Sequence, residues 1–163
     1  MVLKIDDWEF EIDFETNESY SIRELNDHCT CGYCRNFYAS VDEEYPNLRI
    51  FLKQFGIEIK APDELFPYEP TLYEAGYAVA GSIIHPGKRP ISIDGLTVSV
   101  EVESRINHGL KGTVFFLSVG MMELPWVLDE PMEEILSPAN EPSFLKRMWK
   151  QLLRKTKKSD HIS

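Results

Sequence analysis

The chain has 163 residues, 43% of them hydrophobic and 12% aromatic, enough for one domain to bury a core without disulfide support. Its formal net charge of −10 excludes the whole molecule as a nonspecific nucleic-acid binder, because a polyanion repels it. The charge is uneven: residues 1–140 carry −15, and residues 141–163 carry +5.

The first predicted element is the strictly alternating Trp8-Glu9-Phe10-Glu11-Ile12-Asp13-Phe14-Glu15, a half-buried strand by its period of two. Thr16 to Ser19 reads as a turn and Tyr20 to Leu25 as the returning strand of a hairpin. The sequon Asn17-Glu18-Ser19 is taken as accidental. A short helix follows from about Tyr33 to Val41, with Phe37 and Tyr38 facing inward.

A second helix starts near Pro46, carries Leu48, Phe51, Leu52 and Phe55 at helical spacing, and stops at a left-handed Gly56. Residues 61–71 contain Pro62, Pro67 and Pro70 and read as an extended connection. From Leu72 the pattern is β: Leu72 to Ile84, a turn over His85 to Pro90, Ile91 to Glu103 with Asp94-Gly95 as a tight turn or a bulge inside it, and Thr113 to Met121. The proline-rich run Glu123 to Pro142 reads as loop. Residues 143–158 form an amphipathic helix, with Phe144, Leu145, Met148, Trp149, Leu152 and Leu153 as its apolar stripe among lysines and arginines.

These elements predict an α+β fold: a mainly antiparallel sheet of about five strands, two helices on one face, and a C-terminal amphipathic helix. Residues 1–142 are expected to form one domain, with the basic helix and tail of 143–163 docked on it. No apolar run suits a signal peptide or a membrane span. The three cysteines fall within six positions, unlike the spread-out even pattern of a secreted disulfide scaffold, so the expected compartment is the cytoplasm.

The chemistry-bearing segment is Asp27-His28-Cys29-Thr30-Cys31-Gly32-Tyr33-Cys34-Arg35-Asn36-Phe37. It resembles an uncharacterised bacterial family marked by an N-terminal hairpin, a Cys-x-Cys-x-x-Cys-Arg-Asn-Phe motif and a later Gly-Ile step, here Gly56-Ile57. The resemblance spans roughly Trp8 to Pro67, and implies membership without implying an activity.

Three readings of the cluster stand side by side. Cys29, Cys31 and Cys34 can act as thiolate ligands of a structural zinc, with a fourth donor, His85, His108 or a carboxylate, supplied from elsewhere. His28, adjacent to Cys29, points away from it in an extended chain and is a doubtful ligand. Alternatively, Cys31 and Cys34 at a helix start form a thiol–disulfide oxidoreductase pair. In the plainest case all three are reduced thiols packing like small hydrophobes.

Elsewhere, Gly81 to Arg89 departs from a phosphate loop in spacing and in lacking its hydroxyl. The carboxylates Glu9, Glu11 and Asp13, like Glu101 and Glu103, read as solvated strand faces, and His85 and His108 as turn residues. With no catalytic constellation assembled, the leading expectation is a non-catalytic binding or interaction protein with a cysteine knuckle suited to zinc. An acidic regulator that neutralises a basic partner protein is a third possibility, resting on charge alone.

Overall fold

A computed structural model describes residues 1–132, of which Met1–Leu128 form one compact unit. The elements are β1 (Val2–Ile5), β2 (Trp8–Ile12), α1 (Phe14–Asn26), α2 (Gly32–Glu44), α3 (Pro46–Lys53), β3 (Glu64–Glu69), β4 (Leu72–His85), β5 (Ile91–Ile93), β6 (Leu96–Glu101) and β7 (Val114–Glu123). Every strand pairing is antiparallel, in the order β1-β2-β4-β7-β6-β5, and β3 pairs with β4 as well. The α+β class and the antiparallel sheet therefore stand, with seven strands among the described residues where about five were expected. The expected C-terminal helix, and the expected boundary at residue 142, lie outside the described residues.

The N-terminal hairpin is a correction. The strand at Trp8 ends at Ile12 and pairs backward with Val2–Ile5, while Thr16–Leu25, expected as turn and strand, is helical. Asp13 explains the switch: its carboxylate accepts from the Thr16 amide at 3.1 Å and from Thr16 Oγ1 at 2.8 Å, capping α1. The second correction is β3. Despite Pro67, residues Glu64–Glu69 pair with β4 as a strand, a place where a missing N–H is tolerated when it faces away from the ladder.

α2 and α3 pack on one face of the sheet. Phe37, Val41, Leu48, Phe51, Leu52 and Phe55 meet Phe10, Tyr73, Tyr77, Val79, Phe115 and Leu117 in a single core. The alternation Tyr73, Ala75, Tyr77, Val79 on β4 turns every second side chain into that core. α3 begins without a cap from Tyr45, and Asp94 of the β5–β6 turn takes that place, accepting from the Asn47 and Leu48 amides at 3.2 Å each. The expected tight turn at Asp94-Gly95 and the left-handed Gly56 (φ +79°) are both present.

β4 has a gap on the edge that carries β2 and β3, since β2 covers Gly81–His85 and β3 covers Leu72–Gly76. Side chains fill it. Asn17 Oδ1 accepts from the Ala80 amide at 2.7 Å while its Nδ2 donates to the Ala80 carbonyl at 3.2 Å. Asp63 Oδ2 accepts from the Ala78 amide at 2.7 Å, and its other oxygen accepts from the Tyr20 hydroxyl. These two residues stand in for a strand and satisfy backbone groups that would otherwise be buried unpaired. Gly81, at φ +150°, lets β4 approach so closely that any side chain there would strike the Glu11 carbonyl. No helix among the described residues is long and apolar enough to cross a membrane.

Candidate metal centre

The cysteines lie where α1 hands over to α2. α1 ends at Asn26, and α2 begins at Gly32 with Cys31 in the N-cap position (φ −66°, ψ 159°). This connection folds back so that the Sγ atoms of Cys29, Cys31 and Cys34 all lie within 4.8 Å of one another. All three thiols are free; Cys29 and Cys31 are exposed and Cys34 is buried. A tetrahedral ion with bonds of about 2.3 Å to sulfur needs sulfurs about 3.8 Å apart. The cluster reaches that spacing by a contraction of at most about 1 Å, within the range of side-chain adjustment.

The thiols influence one another strongly. A hydrogen bond from the Cys34 thiol is the largest effect on Cys31, and the Cys34 and Tyr33 amides and the Cys29 thiol add to it. Together they outweigh desolvation and hold the Cys31 thiol down to about 5. Cys31 makes no side-chain capping hydrogen bond of regular geometry, and the Cys34 and Tyr33 amides act on its sulfur as looser donors at the start of the helix. Cys34 moves the opposite way, pushed up by its hydrogen bond to Cys31 and then by burial. One negative charge therefore rests on Cys31, with the buried Cys34 thiol donating to it.

The residues after Cys34 build the support. Arg35 donates its Nε to the Thr30 carbonyl at 2.9 Å, tying the Cys29–Cys31 stretch back onto α2. Asn36, fully buried, donates Nδ2 to the Pro125 carbonyl at 3.0 Å and to the Tyr73 hydroxyl at 3.3 Å, and its Oδ1 accepts from the Val127 amide at 2.8 Å. Phe37 is fully buried in the core. The Arg-Asn-Phe that follows the third cysteine is thus a bracket: one residue fixes the loop, one the segment after β7, and one the sheet.

Three tyrosines border the cluster. The Tyr73 hydroxyl donates to the Tyr33 carbonyl at 3.2 Å. Burial raises the Tyr38 phenol above its ordinary range, and the neighbouring sulfurs of the cluster, Cys34 foremost, add to it. Tyr33 is raised by burial and then by the charge on Cys31. Tyr33, Tyr38 and Tyr73 were not singled out as site residues from the sequence. The signal for Tyr33 and Tyr38 was their place within about one helical turn of Cys34; nothing local pointed to Tyr73, which lies on β4.

The expected fourth donors do not join. The His28 ring lies edge-on to Tyr38 at 4.5 Å, with Nδ1 engaged by the Leu25 carbonyl, outside the sulfur group. His85 pairs with Glu9 at 3.1 Å where β2 meets β4, and His108 meets Phe116 edge-on. Among the described residues no histidine or carboxylate completes the set. The group is a three-sulfur site able to hold a metal ion.

No family model matches the chain, and no curated protein or solved structure matches it either.

Proposed function

We propose that this is a non-catalytic binding or interaction protein of the reducing cytosol whose Cys29, Cys31 and Cys34 form a knuckle for a structural zinc ion. The observation that carries the reading is the convergence of three free sulfurs within 4.8 Å at the joint between two helices. Thiolates suit soft or borderline ions, and a bound ion here ties the α1–α2 connection to the first turn of α2 as well as filling the site. The strongly acidic body favours a basic partner protein, through charge complementarity over its surface. Metal analysis of full-length protein purified without chelator tests the zinc. One ion per chain with all three thiols protected is the expected result. Metal far below one ion per chain, with three freely reacting thiols after zinc is added back, removes it.

A second reading has its own support, the placement of an exposed Cys31 above a buried Cys34 at the start of α2. In a thiol–disulfide exchange the Cys31 sulfur attacks a substrate disulfide and expels one thiolate. Cys34 then attacks Cys31, its proton passes to the second departing sulfur, and the protein is left with a Cys31–Cys34 disulfide. A Cys31→Ser variant that reacts with a thiol probe as fast as the wild type eliminates this reading.

A further inference from the structure

We infer that Cys29, Cys31 and Cys34 form a receptor for a trivalent, three-coordinate soft ion of the arsenite class, which they satisfy without any further ligand. The inference rests on the reading of the cluster as one ion-binding group, and it specifies the kind of ion that the donor set completes.

Donor number is the first argument. Three sulfurs converge, and among the described residues neither a histidine nor a carboxylate joins them. Zinc asks for a fourth donor. A pyramidal trivalent arsenic asks for three sulfurs and fills the fourth vertex with its own lone pair. Orientation is the second argument. Cys34 is buried and forms the floor, while Cys29 and Cys31 are exposed, so the open side of the tripod faces solvent, where a lone pair needs no partner. Charge is the third. Three thiolates around a divalent ion leave a net negative charge, whereas around a trivalent centre they leave none. The half-buried phenols of Tyr33 and Tyr38 and the net charge of −10 on the chain both favour the neutral complex.

The chemistry balances with nothing added. Arsenous acid carries three hydroxyls. Each As–O bond that breaks is replaced by an As–S bond, and each hydroxide leaves as water, taking the proton of the Cys29 or Cys34 thiol or, at the Cys31 thiolate, a proton from solvent. Three waters are released and no atom changes oxidation state. Arg35, through its bond to the Thr30 carbonyl, ties the segment that carries Cys29 and Cys31 back onto α2.

The test is titration of the reduced, metal-free, full-length protein with arsenite and, separately, with zinc. Intact mass, thiol count and arsenic–sulfur absorption are the readouts. The inference expects one arsenic per chain, loss of all three reactive thiols, and displacement of bound zinc by arsenite. Cys29→Ser and Cys31→Ser, both at exposed positions, should each weaken arsenite binding by roughly tenfold or more, as one of three linked attachments is lost, with an unchanged urea midpoint confirming the fold. If zinc binds and arsenite neither binds nor displaces it, the inference falls and the ion-binding reading stands. If neither binds, both fall. If arsenite binds Cys29→Ser as tightly as the wild type, only two sulfurs hold it and the three-sulfur receptor is refuted.

Discussion

Arg35 and Asn36 are neighbours in the chain, yet they support the cysteines in different ways, and their variants separate the two. The Arg35 Nε bond to the Thr30 carbonyl lies at the surface and orients the segment that carries Cys29 and Cys31. Arg35→Ala should lower zinc affinity about tenfold, as losing an outer-shell support typically does, with a stability change within about 0.5 kcal/mol. Competition against a chromophoric chelator measures the first and urea unfolding the second; unchanged affinity would show that the loop orients itself. Asn36 is different because its amide is wholly buried and meets Tyr73, Pro125 and Val127. Asn36→Ala strands the Val127 amide and the Pro125 carbonyl and should destabilise the fold by about 3 kcal/mol. A urea midpoint equal to that of the wild type would contradict the bracket. The motif was legible as a unit in the sequence. The division of labour within it was not, because Asn36 acts on residues about ninety positions away.

At the scale of elements, α3 and α1 show why one helix was readable and the other was not. α3 presents Leu48, Phe51 and Leu52 on one face and ends close to a left-handed glycine, so apolar spacing reveals it. The buried residues of α1 are Asn17, Tyr20 and Ser21, which dock by polar contacts to β4, to Asp63 and to the Glu58 amide. A helix that buries polar groups leaves no hydrophobic period to find, and the alternation running from Trp8 to Glu15 hid its start. The Asp13–Thr16 cap was the one local signal available.

Asp63 gives this docking a pH dependence. Burial raises its carboxyl above 3.8, although the Ala78 amide and Tyr20 hydroxyl pull the other way. The folded state therefore keeps this proton to higher pH than the unfolded chain does. The contribution to stability is fullest below 3.8 and is lost as pH rises through the raised folded value. Asp63→Asn lacks the titration, so the wild type should lead the variant by more at about pH 3 than at about pH 7 in parallel urea unfolding. A constant gap across that range would mean that Asp63 titrates alike in both states.

The molecule as a whole was legible from Leu72 onward, where β4, β5, β6 and β7 follow one another and β strands dominate the pattern. It was less so where distant segments meet: β2 joins β4 across some seventy residues, and β3 carries a proline. Turn chemistry identified the β5–β6 hairpin, but nothing local announced that Asp94 would cap α3. For the site, the sequence supplied the donors and their neighbourhood. It left open whether three sulfurs two, three and five positions apart would converge, since that depends on how the α1–α2 joint folds. They do converge, and the histidines considered as a fourth ligand lie elsewhere.

The central claim is that Cys29, Cys31 and Cys34 bind one ion together. X-ray absorption at the zinc edge of full-length protein loaded with one equivalent tests it most directly. Three sulfur neighbours at about 2.3 Å with one lighter donor is the expected shell. A shell of nitrogen and oxygen alone, or one with a single sulfur, would contradict the claim.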